Sequence, residues 1–199
     1  MIEVEASLLR DLLRAVIPAM GVDVNLPRFM QVRVHSEGGV LSLTATDGAR
    51  IHHVCASGQR TVMPKTEWLV GSSVDEALRA CVEMAKRRKG DTWVTLGEDT
   101  LVVHAGHDVM VKLGIRTESF PDFERVLHDM VVSPGQLVVH ATQHLRDAFE
   151  AAMQIAPSCT LIFGENRSGS SRVTKVLAVG DDKKGVRREL VCMISASKQ

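Results

Sequence analysis

Two adjacent histidines, four cysteines and a Gly/Ser-rich stretch are the places where this sequence could break bonds or hold a metal, and none has the required spacing. His52 and His53 are neighbours on a strand-like segment, so they point to opposite faces and cannot share one metal in the usual way. Cys55, Cys81, Cys159 and Cys192 stand singly in apolar runs, with no C-x-x-C and no Cys/His set at zinc spacing, and read as reduced core thiols. Gly164-Glu165-Asn166-Arg167-Ser168-Gly169-Ser170-Ser171 lacks the lysine and spacing of a phosphate loop and lies between two strand patterns, where a hairpin loop accounts for it. There is no G-x-S-x-G, no H-E-x-x-H and no paired-carboxylate signature. The expectation is a protein without catalytic residues, metal or cofactor.

What remains is a set of cations on helix-like segments: Arg10 and Arg14, then Arg79 with the run Lys86-Arg87-Arg88-Lys89, then Arg146. Such side chains can meet phosphates without reading sequence. The plainer alternative is a solvated helix face with cations favoured near a helix C-terminus. Asp11, Asp75, Glu76, Glu83, Asp147 and Glu150 dilute the positive charge. Over the 199 residues Lys plus Arg and Asp plus Glu are 24 each, which excludes a histone-like protein and leaves only local patches for nucleic acid. With 4% aromatic residues and no Tyr, a single-strand binder built on base stacking is disfavoured.

The elements that carry these residues recur in one order three times. In the first round a strand at Ile2 to Glu5 precedes a helix from Ala6 to about Ala19, with Leu8, Leu9, Leu12, Leu13, Val16 and Ile17 in one stripe. Strands follow at Arg28 to His35, Val40 to Thr46 and Arg50 to Ala56, separated by Glu37-Gly38-Gly39 and Asp47-Gly48. The second round has Glu67 to Val70, a helix from Ser73 to Lys89, and strands at Thr92 to Leu96, Thr100 to His104 and Val109 to Ile115. The third has Gln136 to His140, a helix from Thr142 to Ile155, and strands at Thr160 to Phe163, Val173 to Val179 and Glu189 to Ile194. This predicts an α+β fold of three βαβββ repeats, antiparallel sheets with one helix each. A lone unit leaves sheet edges unpaired, so units must associate; residues 1–130 read as a two-unit domain and 131–199 as a half-domain.

Leu41-Ser42-Leu43-Thr44-Ala45-Thr46-Asp47-Gly48-Ala49-Arg50-Ile51 resembles the "ATDGxRL" segment of bacterial DNA polymerase sliding clamps, the β subunit of DNA polymerase III. Ser119-Phe120-Pro121-Asp122-Phe123-Glu124-Arg125-Val126-Leu127 resembles that family's "FPDYxRVLP" segment, at a fitting distance, and Glu189 to Ile194 is similar to its terminal apolar strand. Ala49 stands where the family often has His, and Ile194-Ser195 replaces a Pro-Met pair. The chain looks like a middle clamp domain joined to the last half-domain. The resemblance implies a peptide-binding pocket lined by Thr46, Gly48, Ala49, Arg50, Ile51, Pro121, Arg125, Val126, Val191, Met193 and Ile194. It also implies a DNA-facing set of Arg10, Arg14, Arg79, Lys86, Arg87 and Arg146.

The function so implied is a non-enzymatic processivity factor that encircles or tracks duplex DNA without sequence preference and tethers polymerase or repair proteins through short linear motifs. The partners would be duplex DNA, DNA polymerase and clamp-loader-type proteins, and further copies of the chain as a dimer or tetramer. The alternative is a clamp-like peptide-binding adaptor or decoy that never encircles DNA. No signal-peptide pattern and no apolar run near the ~18 residues of a membrane span occurs, so a cytoplasmic protein is expected.

Overall fold

The computed structural model describes residues 2–57, 66–71, 73–88, 92–97, 100–105, 107–114, 120–122, 130–132, 142–166, 172–181 and 186–195. In the first unit β1 (Ile2–Glu5) leads into α1 (Ala6–Val16), followed by β2 (Val32–Glu37), β3 (Val40–Thr46) and β4 (Arg50–Ser57). The second holds β5 (Thr66–Val70), α2 (Ser73–Arg88), β6 (Thr92–Leu96), β7 (Thr100–Ala105) and β8 (Asp108–Gly114). Last come β9 (Met130–Val132), α3 (Thr142–Met153), β10 (Thr160–Asn166), β11 (Arg172–Asp181) and β12 (Arg187–Ser195). The fold is mixed α and β, and every described strand pairing is antiparallel.

The first two units exchange their leading strands. β1 closes the sheet β1-β6-β7-β8, while β5 closes the edge of β2-β3-β4. Each unit thus completes the other's sheet, and α1 packs on α2, on β3 and β4, and on β6. The stripe expected on α1 is the core itself: Leu9, Leu12, Leu13 and Val16 are fully or almost fully buried.

The third unit, read from the sequence as a half-domain, joins the first through its last strand. β12 pairs with β4 from Arg188 opposite Ala56 to Ile194 opposite Arg50, giving one eight-stranded sheet, β5-β2-β3-β4-β12-β11-β10-β9. An open edge strand is a standing invitation to pairing, and the first unit answers it. At the far edge β9 takes the place on β10 that β1 takes on β6. β9 straddles the boundary expected at residues 130 and 131; the strand expected at Gln136 to His140 lies outside the described residues.

Prolines set two further differences. Pro18 turns the last part of the first helix into a 3-10 turn at Ile17–Ala19. Pro27 starts another at Pro27–Phe29, so the strand expected from Arg28 begins at Val32. At Gly180 on β11 a Cβ would come within 2.4 Å of the Ile155 carbonyl oxygen, so only glycine lets this strand approach the end of α3.

Candidate functional site

The β3–β4 turn is built from its own hydrogen bonds. The Asp47 carboxylate accepts the backbone N–H groups of Ala49 at 2.9 Å and Arg50 at 3.0 Å, and pairs through its second oxygen with Arg50 Nε at 2.9 Å. The Thr46 hydroxyl donates to the Arg50 carbonyl at 2.7 Å and accepts from Gly48 N–H at 3.0 Å. Gly48 has φ +91°, a conformation costly for any residue with a Cβ.

Two anchors carry the turn beyond its own unit. The Ala49 carbonyl accepts from Ser195 N–H at 2.9 Å, which fixes it to the end of β12. The Arg50 guanidinium donates to the Asp147 carboxylate on α3, whose other oxygen accepts from Gln143 Nε2 at 2.6 Å. The Arg50 and Asp147 side chains are each 12% exposed, so this charge pair is largely removed from water.

Beside the turn lies a cavity of about 230 Å³. It brings together Thr46, Gly48, Ala49, Arg50, Ile51, Pro121 and Met193 from the set implied by the sequence. Phe29, Asp122, Val173 and Ser195 complete the lining. Ile51, Val173 and Met193 form a small apolar cluster, with Phe120 and Val191 packed against it. These residues alternate along β4, β11 and β12 with His52, Thr174 and Cys192, which are buried on the helix side. The cavity therefore opens on the face of the sheet away from the helices.

Parity explains where Ile194 goes. It is fully buried in the main core, on the opposite face of β12 from Met193, and does not line the cavity; a one-residue step along a strand reverses the side-chain direction. Val191 supports the cluster rather than lining the opening. Arg125 and Val126 lie outside the described residues. Phe29 escapes a sequence reading because its segment reads as strand, and the usable signal was Pro27, which makes a turn that brings its ring within 3.6 Å of where a Gly48 Cβ would stand. Arg28 stacks over that ring, 4.9 Å from its centroid. Val173 and Ser195 follow from the outward parity of Met193 once the pairing of β11, β12 and β4 is known.

The cations of the helix face divide. Arg14 and Arg79 are exposed, and together with the half-buried Arg10 they act electrostatically on Asp75. Burial raises the Asp75 carboxyl above its usual range, and these three guanidinium groups oppose the rise. Arg10 also lies 3.9 Å from Asp11, and Arg146 pairs with Glu150 at 2.7 Å. Lys86 and Arg87 belong to the last part of α2, their side chains outside the described residues.

His52 and His53 separate as neighbours on a strand should. His52 is fully buried, its Nδ1–H donating to the Ala15 carbonyl at 2.9 Å, and burial lowers its pKa from 6.5 to about 4. His53 bonds Thr44 and Cys55 on the other face. Burial, aided by Glu189, pushes the Cys55 thiol up to about 11, and burial raises Cys192 still further, so neither is a ready nucleophile. Among the described residues no cluster of metal-ligating side chains occurs, and no helix is long and apolar enough to cross a membrane.

No protein-family profile matches the sequence, and none of the curated proteins does. Solved structures do match. The DNA polymerase sliding clamp of Bacillus subtilis superimposes with a TM-score of 0.67 at 11% identity, over 100% of this chain and 64% of that one. A sliding clamp of Pseudomonas aeruginosa gives 0.58 at 18% identity, over 99% and 66%. The DNA polymerase III subunit beta of Pseudomonas aeruginosa gives 0.52 at 21% identity, over 98% and 51%. The chain has the fold of these bacterial clamps and spans between about half and two thirds of their length.

Proposed function

We propose that this chain is a non-enzymatic, sliding-clamp-like processivity factor that holds polymerase or repair proteins through the cavity and tracks duplex DNA along its helix face. The observation that carries the reading is the cavity at the β4–β12 junction, with an apolar floor, a polar rim and residues of three sequence segments around it. At about 230 Å³ it is smaller than the ~300–1,000 Å³ typical of small-molecule pockets, which suits two side chains of a peptide better than a cofactor. Two large apolar side chains at roughly 1.5 to 3 kcal/mol each, less the cost of ordering the peptide, give micromolar binding or weaker. Weak binding suits a platform whose clients must exchange.

The test is fluorescence anisotropy with a labelled Gln-Leu-Phe-type peptide. Saturable binding is expected, abolished by Gly48→Trp and by Ser195→Trp, the second of which fills the cavity from its exposed rim without touching the positive-φ turn. Binding indifferent to both substitutions, or none at all, overturns the pocket reading.

DNA association on this reading is topological and independent of sequence, with Arg10, Arg14 and Arg79 meeting phosphates. The clamp family closes its ring from twelve such units, and four copies of a three-unit chain supply that number; a dimer is the smaller assembly. Retention on closed circular DNA, lost when the circle is cut, is the expected result. Retention that survives cutting favours the second reading, an adaptor that binds the same peptides without encircling DNA. The pairing of Arg10 with Asp11 and of Arg146 with Glu150 speaks for that reading, because it leaves the helix face only modestly positive.

A further inference from the structure

We propose that a second copy of this chain covers the outer flank of α3, helix against antiparallel helix about a two-fold axis. The inference rests on the oligomeric reading above and names the surface that makes the oligomer.

At about 100° per residue, Ala148, Ala151 and Ala152 form the buried stripe of α3. Gln143 and Asp147 lie to one side of it, bonded to each other and reaching Arg50 of the first unit. To the other side lie Leu145, Phe149 and Met153, spaced i, i+4, i+8. Leu145 is half-buried, Phe149 is 37% exposed and Met153 67% exposed, on a flank where the equivalent helices of the first two units have each other.

The half that would cover this flank is missing from the interior of the chain. β9 stands to β10 as β1 stands to β6. Between β1 and β6 come α1, β2 to β5 and α2, whereas between β9 and β10 the only described element is α3. The stretch 133–141 before α3 is too short to hold a helix and three strands.

Charge then selects the occupant. Arg146 and Glu150 border the apolar flank on one rim. A two-fold axis near Phe149 runs the second helix antiparallel, which sets Arg146 of one copy beside Glu150 of the other, twice. A parallel pairing puts the two rims on opposite sides of the contact and makes no such pair. A surface complementary to itself in this sense is what an isologous contact requires.

Light scattering of the full chain reads the outcome. Phe149→Glu with Met153→Glu should weaken association tenfold or more and halve the molar mass, dimer to monomer or tetramer to dimer, with the thermal transition of the fold retained. Arg146→Glu alone and Glu150→Arg alone should each weaken self-association, and mixing the two variants should restore it, a result that no folding defect produces. A wild-type chain that stays monomeric at every concentration overturns this proposal together with the oligomeric reading. An oligomer whose mass ignores the double substitution, or variants that mixing does not rescue, overturns the α3 contact and leaves that reading standing.

Discussion

Helix α1 buries Leu8, Leu9, Leu12, Leu13 and Val16 between two sheets and two neighbouring helices, whereas α3 buries Asp147 and three alanines and leaves Phe149 and Met153 in solvent. The two helices hold equivalent places in a repeated unit, so the difference lies in what surrounds them. Leucines fill the depth available where strands and helices close from several sides. Alanines let α3 settle onto one sheet and against α1, and they bury little, which leaves α3 dependent on polar anchors such as Asp147. The fold is closed around α1 and open along one flank of α3.

That contrast can be broken most forcefully at the centre. Leu12→Ala should cost about 2 to 5 kcal/mol in urea unfolding, because the fully enclosed site cannot collapse, while Met153→Ala should cost the monomer under about 0.5 kcal/mol. Equal losses at the two positions would erase the distinction. Asp147→Ala is next, expected at about 1.5 to 3 kcal/mol, since it removes one of the two carboxylates on the Arg50 guanidinium, leaving Asp47, and frees α3 from the turn it leans on. Arg50→Met with Asp147→Leu in one chain should recover most of that loss, which a purely packing role for Asp147 does not predict.

His52 is held neutral beneath α1, with a folded pKa of about 4 against 6.5 unfolded, so the unfolded chain takes up the proton first as pH falls. Stability from this group is intact above pH 6.5 and drains between there and pH 4, by about 2 kcal/mol on going from pH 7.5 to 5. His52→Gln should flatten that stretch of the profile; an unchanged slope would remove His52 as its cause. Smallest is Gly48→Ala, at about 1 kcal/mol from the positive φ alone, because the added Cβ meets nothing nearer than 3.6 Å.

The sequence made the repeat legible because an i, i+3, i+4 stripe of leucines and alternating valines declare themselves without neighbours. Seven residues around the cavity were reached only through the resemblance of two turn segments and a terminal strand to sliding clamps; their backbone bonds, as at Asp47 and Thr46, explain the turn and not the cavity. What escaped was decided at long range. The partner of β12 is β4, and nothing in either strand says so. Ile194 and Met193 differ by one residue, and only the registered sheet tells which faces the cavity. β9 is three residues long, too short for a period to show.

The walls of the cavity are far apart along the chain: Ile51 comes from an early strand and Met193 from the last described one, and they meet only when β4 and β12 zip together. Long-range strand pairing carries a high contact order and forms late in folding. During synthesis the turn at Thr46 to Arg50 leaves the ribosome long before its opposite wall exists, so a nascent chain holds one side of the cavity without the other. On the proposed reading, a chain cut before β12 would keep the turn and bind no peptide, because the wall that Met193 supplies would be absent.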